Sequence, residues 1–297
     1  MTPEGFRIHH YKEVSSTNKE ALDLIGRGIS NETIIIADKQ TEGRGRTGKN
    51  WISPEGNFYA SLVINLFNDY LNESQLSVSF QRVTLESRKK EEWIPVSSTG
   101  MTSEGTGMTS EGIGMTEKGL VNKIADVSKL TELTFVTALA VGNTLLSLIA
   151  DSNVQYKWPN DVLVDSKKIS GILLEKRSNS NWLIIGIGIN VNHAPLPGTT
   201  CISNYGESVS NTDLLKELII NFNKLRKQWL FDGFYAIRKM WLKKAFKMNE
   251  QISVKLADKL YEGIFADIDK SGKLVLQQKD ESLIYFDAGE LFIDNAL

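Results

Sequence analysis

Apolar and polar positions alternate in short runs along most of this chain, and a few longer stretches carry apolar residues at helical spacing. His9–Val14 fits a short strand. Ser15-Ser16-Thr17-Asn18 stands directly before Lys19–Arg27, where Ala21, Leu22, Leu24 and Ile25 mark one helical face. Hydroxyl and amide side chains in that place are helix-cap signals. Thr33–Ala37 and Phe58–Leu66 read as strands rich in Ile and Val. Lys129–Ala150 predicts an apolar helix. Val154–Trp158 predicts a strand, and Val162–Val164 with Ile169–Glu175 a hairpin around Asp165-Ser166-Lys167-Lys168. Trp182–Ile189 is a strongly apolar strand. Leu214, Leu215, Leu218, Ile219, Phe222 and Leu225 place a helix over Asp213–Trp229. Phe234–Phe246 predicts another, with Trp241 on its core face. From Glu250 the pattern turns to short strands: Ile252–Leu256, Leu260–Asp267, Lys273–Gln277 and Leu283–Asp287. These predict a compact antiparallel barrel appended to the main domain.

One long stretch follows neither period. Thr99–Gly105 recurs as Thr106–Gly112 and, imperfectly, as Ile113–Gly119. Each unit holds one apolar residue and two glycines, so the seven-residue repeat is not a coiled coil. Such a segment cannot offset its ordering entropy by burial. We read residues 69–122 as a disordered or loosely ordered insert in a surface loop, together with the charge run Arg88–Glu92. The expected domains are residues 1–248, interrupted by that insert, and residues 249–297.

Composition narrows the function without deciding it. The chain has 297 residues, and its net charge of −2 gives no global attraction to nucleic acid or acidic membrane, so any basic site is local. The single Cys201 rules out an internal disulfide framework and suits a reducing compartment. His9, His10 and His193 offer no zinc-ligand spacing. The N-terminal residues MTPEGFRIHHYKEV have no apolar signal core. Leu133–Ala150 is uncharged but carries Thr134, Thr137, Asn143, Thr144 and Ser147, and it reads as a buried core helix. A cytoplasmic protein is expected.

The candidate chemistry lies in a handful of short stretches. Gln40–Trp51, QTEGRGRTGKNW, sets Arg44, Arg46 and Lys49 among Gly43, Gly45 and Gly48. Glycines let a ligand approach the backbone, and arginines present forked donors to phosphate or carboxylate. Gly43-x-Gly45-x-x-Gly48 matches the dinucleotide fingerprint letter for letter, but a strand follows where a helix should open. The Rossmann reading is therefore rejected, and a plain basic hairpin tip in solvent is its bland alternative. Ser16, Thr17 and Asn18 exceed what one cap requires, so they can also hydrogen-bond a small polar ligand. Lys157-Trp-Pro-Asn-Asp161 is either a plain turn with a structural tryptophan, or a site giving Lys157 to a phosphate and Asp161 to magnesium or proton transfer. Lys168 is either a solvated surface lysine or a cation at the mouth of the hairpin. Asn190, after Gly186 and Gly188, is either a strand terminator or a contact to nucleotide or metal.

In this order and context, STN (16–18), Gln40 with GRGRTG (43–48), Trp51, KWPND (157–161), KKISG (167–171) and GIGIN (186–190) resemble biotin protein ligases over nearly the whole chain except the insert. The resemblance implies an α+β fold. A mixed sheet backed by helices, class II synthetase-like, would be followed by a C-terminal SH3-like barrel. It implies ATP-dependent activation of biotin to biotinyl-5′-AMP, then transfer to a lysine of a biotin carboxyl carrier domain in acetyl-CoA carboxylase or a related carboxylase. It assigns biotin contacts to Ser16, Thr17, Asn18, Gln40, Arg44, Gly45, Arg46, Lys168 and Gly171. ATP and adenylate contacts fall to Gly43, Gly48, Trp51, Asn160 and Asn190, with Trp51 stacking on adenine. Lys168, Asp161, Arg44, Arg46 and Lys157 would carry the chemistry, and Asp161 would meet Mg²⁺. Fifteen residues before Ser16 are too few for a helix-turn-helix module, so a monofunctional ligase without operator binding is expected. A homodimer stays open. The rivals are a lipoate ligase or octanoyl transferase of the same fold, and a non-catalytic binding module disabled by the insert.

Overall fold

The computed structural model describes residues 5–66, 127–149, 152–176, 180–206, 209–256, 259–287 and 290–292. The insert expected at 69–122 lies outside these residues.

Seven strands make the larger sheet: β1 (Arg7–Val14), β2 (Thr33–Gln40), β3 (Phe58–Asn65), β4 (Val154–Lys157), β5 (Asp161–Val164), β6 (Lys167–Lys176) and β7 (Trp182–Ile189). Their order is β1-β2-β3-β7-β6-β5-β4. Helix α1 (Thr17–Gly26) connects β1 to β2, and this crossover makes them parallel. All other neighbours in the sheet are antiparallel, so it is mixed as expected. Apolar side chains close α1 onto the sheet: Ala21 packs in one buried cluster with Ile35, Val63 and Ile184. Ser61, Gly186 and Gly188 follow the same alternation, so they face α1's side of the sheet. Gly171 pairs with Gly188 and shares that face.

Helix α2 (Val127–Leu148) and helix α3 (Asn211–Leu242) pack on each other, and α2 also touches β4, β5 and β6. Leu130–Leu148 has the length and hydropathy of a membrane span, yet Leu133, Phe135, Val136, Val141 and Leu145 along it are fully buried in the protein. Helix α3 joins the two helices expected from Asp213–Trp229 and Phe234–Phe246. The break survives at Gly233, whose φ of 71° and ψ of −178° are not helical. Ser210 caps α3 by accepting from the Asp213 amide at 3.1 Å.

Five further strands, β8 (Gln251–Leu256), β9 (Lys259–Ile268), β10 (Leu274–Gln277), β11 (Leu283–Phe286) and β12 (Glu290–Phe292), form a second sheet in the order β11-β10-β9-β8-β12. All its pairings are antiparallel. This is the small C-terminal barrel; β12 was not expected, because three residues carry no readable period. The barrel is tied to the larger domain by the turn after β4 and by α3. The Trp158 indole donates to Gly272 O at 3.1 Å, and Arg238 of α3 binds Asp267 and Ile268 O of β9. Between them Trp241 stacks on Tyr156 at 6.0 Å and meets Phe135 edge-on at 5.1 Å.

Candidate functional site

A cleft of about 910 Å³ opens on the α1 face of the sheet. Its floor is Gly186 and Gly188 of β7 and Gly171 of β6. These glycines carry no side chain of their own, which lets the Trp51 ring lie against Gly188 and Gly171 and the Asn18 carboxamide against Gly186.

The start of α1 forms one wall. Ser16, Thr17 and Asn18 are all buried. Ser16 holds the cap position, but its hydroxyl makes no capping bond, and its carbonyl accepts from the Lys19 and Glu20 amides instead. Thr17 donates its amide to Gln40 Oε1 at 2.8 Å, and Gln40 Nε2 donates to Ser53 Oγ at 3.0 Å. Ser61 Oγ lies 2.8 Å from Thr17 Oγ1 and 2.5 Å from Asn18 Oδ1. Asn18 Nδ2 donates to Glu175 Oε2 at 2.7 Å. The polar residues of this wall thus fix one another's orientation.

The GRGRTG stretch forms the opposite rim. It is a tight hairpin: Arg44 bridges Asn50, and Gly45 N donates to Lys49 O at 2.7 Å. Arg46–Gly48 makes a single 3-10 turn rather than an α-helix, which agrees with the rejected dinucleotide fingerprint. Arg44 reaches Glu175 at 2.8 Å, and Arg46 points toward Asn160 at 3.4 Å. Trp51 folds back over the floor. A Cβ added at Gly188 would sit 2.5 Å from its ring, and one at Gly171 2.9 Å. The indole Nε1 is buried without a hydrogen-bond partner.

The third wall comes from β4, β5 and β6. Asn160 is locked to β6, donating Nδ2 to Ile172 O at 2.8 Å while its own carbonyl accepts from Ile172 N at 3.0 Å. Asp161 opens β5 opposite Gly171. Lys168 Nζ lies 2.6 Å from Asp161 Oδ1 and 5.3 Å from the Trp51 ring centroid. Asn190 directly follows β7 and donates Nδ2 to Thr200 O at 3.0 Å.

Ser16, Thr17, Asn18, Gln40, Arg44, Gly45, Arg46, Trp51, Lys157, Asn160, Asp161, Lys168, Gly171 and Asn190 all line this one cleft. Gly43 and Gly48 do not. Gly43 is buried behind the loop, where a Cβ would collide with Trp51 O and Ser53 Oγ. Gly48 has φ 75° and lines a second cavity of about 770 Å³ outside the loop. Sequence reading missed Glu175, Lys247 and Glu250. Glu175 had a signal, a carboxylate closing the apolar run Ile172-Leu173-Leu174. Lys247 and Glu250, which reach the cleft from the junction with the barrel, had none. Among the described residues no group of three His, Cys, Asp or Glu could hold a metal ion.

Fold and site together define an α+β domain whose cleft combines a glycine floor with cationic rims. The chain belongs to the biotin/lipoate A/B protein ligase family, whose profile matches residues 11–101 and 120–192, and the biotin protein ligase C-terminal domain matches residues 247–294. It is 30 % identical over 275 residues to the biotin--[acetyl-CoA-carboxylase] ligase of Paracoccus denitrificans, covering 88 % of this chain and 90 % of that one. It is 26 % identical over 242 residues to the bifunctional ligase/repressor BirA of Bacillus subtilis, covering 77 % of this chain but only 57 % of that protein. The fold is similar to the biotin protein ligase from Aquifex aeolicus in complex with biotin and ATP, with a TM-score of 0.68, 22 % identity and coverage of 96 % and 97 %.

Proposed function

We propose that this protein is an ATP-dependent biotin protein ligase. Biotin's carboxylate attacks the α-phosphorus of ATP, pyrophosphate leaves, and biotinyl-5′-AMP forms. The ε-amine of a lysine on a biotin carboxyl carrier domain then attacks the acyl carbon. An amide forms, AMP leaves, and the amine gives up a proton. The observation that carries this reading is Lys168, held by Asp161 at the edge of the glycine floor with Arg44 and Arg46 on the loop above.

The electrostatics require such a cluster. Two like unit charges 4 Å apart repel by about 1 kcal/mol in water, but by about 4 kcal/mol at an effective dielectric near 20. A carboxylate can approach an anionic phosphate in a dry cleft only among fixed cations, here Lys157, Lys168, Arg44 and Arg46. Asp161 is the counterion of Lys168 at 2.6 Å and would yield it to biotin and phosphate. It then becomes the single protein carboxylate that Mg²⁺ would need beside the ATP phosphates, and that ion would neutralise their charge. Ser16, Thr17, Asn18 and Gln40 would hold the polar end of biotin. Trp51 would leave the floor and stack on adenine, and the Arg44–Gly48 turn would shield the anhydride from water. The single cysteine supports a cytoplasmic setting.

The test is ATP–pyrophosphate exchange with purified protein and Mg²⁺. Exchange that requires biotin, and that lipoate or octanoate does not support, is the expected result. Exchange driven by lipoate instead would move the protein to the lipoate branch of its family. The floor gives a second expectation. Gly188→Ala places a methyl group against the Trp51 ring, so biotin-dependent exchange should fall by about tenfold or more, with a cost of about 1–3 kcal/mol in stability. An unchanged rate would remove the floor from the ligand's path.

A further inference from the structure

Glu175 belongs to none of the motifs, yet it joins two of them. It stands on β6 four residues after Gly171, and so on the same face of the sheet. Its Oε2 accepts from Arg44 Nη2 at 2.8 Å and from Asn18 Nδ2 at 2.7 Å. One carboxylate oxygen therefore ties the arginine loop, the start of α1 and the sheet together. We propose that Glu175 is a positioning residue for the acid substrate: it sets the orientation of Asn18 and of the Arg44 guanidinium before the ligand arrives. The proposal rests on the reading of this cleft as a biotin site.

The plainer reading is a solvated charge at a strand end, and the geometry argues against it. The Glu175 side chain is 26 % exposed and that of Arg44 40 %, so their ion pair contributes little to stability. Its effect is directional. A guanidinium offers five donors in a rigid plane, and the bond to Glu175 takes one, which leaves the others aimed by the plane for an incoming carboxylate or phosphate. The Asn18 carboxamide is fixed at both ends. Its nitrogen is held by Glu175, and its oxygen lies against Ser61 Oγ and the backbone of Gly186. Without the carboxylate only the Ser61 hydroxyl, which can donate or accept, addresses that amide, so its two ends are held apart less firmly. Both partners line the cleft, whereas Glu175 does not. It acts through them.

The experiment uses Glu175→Gln, which keeps the shape, and Glu175→Ala. Kinetic constants are measured by biotin-dependent exchange, and cleavage after Arg44 by limited trypsin digestion of ligand-free protein, mapped by mass spectrometry. Loss of a charge-assisted bond predicts a rise in the biotin KM of about threefold for Gln and about tenfold for Ala. The ATP KM should rise less than the biotin KM, and the melting temperature should stay at the wild-type value. Trypsin must draw an arginine side chain into its own pocket, so releasing Arg44 should speed that cut by about fivefold in both variants. A biotin KM within about twofold of wild type, or an unchanged cut after Arg44, would overturn the proposal. If the alanine variant does not fold, the glutamine variant is read alone. If wild-type protein shows no exchange with biotin, it is the activity reading that fails, and the tryptic rate alone then decides the role of Glu175.

Discussion

Replacing Lys168 with alanine is expected to lower biotin-dependent pyrophosphate exchange by about 10²–10³-fold, the range for removing one hydrogen-bond donor at a reacting oxyanion. The ammonium lies beside Asp161, over the face of Trp51 and against Gly171, where the acid and the α-phosphate would meet. Both reactants are anionic there, and the lost charge is felt most as they close. The effect should fall on kcat more than on the biotin KM, because repulsion grows as the new bond forms. Lys168→Arg should not restore activity, since the flat fork cannot sit where a compact ammonium sits between Asp161 and Trp51. The fold should survive, because the Lys168 side chain is 31 % exposed and no core packing depends on it. Wild-type exchange in a folded Lys168→Ala protein would refute the assignment.

The second large effect is on stability. Trp241→Ala should cost about 3–5 kcal/mol in urea unfolding, the range for truncating a buried aromatic. Trp241 is among the largest fully buried side chains, stacked on Tyr156 and edge-on to Phe135. It thereby joins α3, α2 and β4. The Phe246 amide donates to Tyr156 O and the Tyr156 amide donates to Lys244 O, so the same spot fastens the chain entering the barrel to the strand that leads into Lys157. Loss of the indole should loosen that turn as well, and activity at low temperature should fall along with the unfolding midpoint. A cost under about 1 kcal/mol would show that α2 and α3 repack around the gap.

Much of the architecture is written in local pattern. The short apolar runs Thr33–Ala37 and Trp182–Ile189, and the helical spacing of Leu214 to Leu225, are short-range signals, and the elements lie where they predict. The residues of the cleft were legible for a different reason. Glycine, arginine, Pro-Asn-Asp and Ser-Thr-Asn are costly or unusual in their places, so they stand out from the pattern around them. What could not be read is which of these residues touch. Lys168 and Asp161 look like a turn lysine and a turn aspartate until β5 and β6 pair. Glu175 looks like a strand end until Arg44 and Asn18 arrive from far earlier in the chain. Ser16 reads as a helix cap, and only the structure shows its hydroxyl left out of the capping bond. β12 depended on tertiary packing, which outweighs propensity in so short a segment.

The pairing of β3 with β7 also has a consequence for the order of assembly. Phe58 meets Ile189 and Asn65 meets Trp182, so the middle of the sheet closes only when segments from distant parts of the chain have come together. β1, α1 and β2 can form early because they are neighbours in sequence. The glycine floor belongs to the late, non-local step. A chain emerging from the ribosome therefore has no cleft until β7 has been made and docked, and on the proposed reading biotin would not guide the earlier stages. The vitamin should stabilise the finished protein and slow its unfolding, while leaving the rate of folding unchanged.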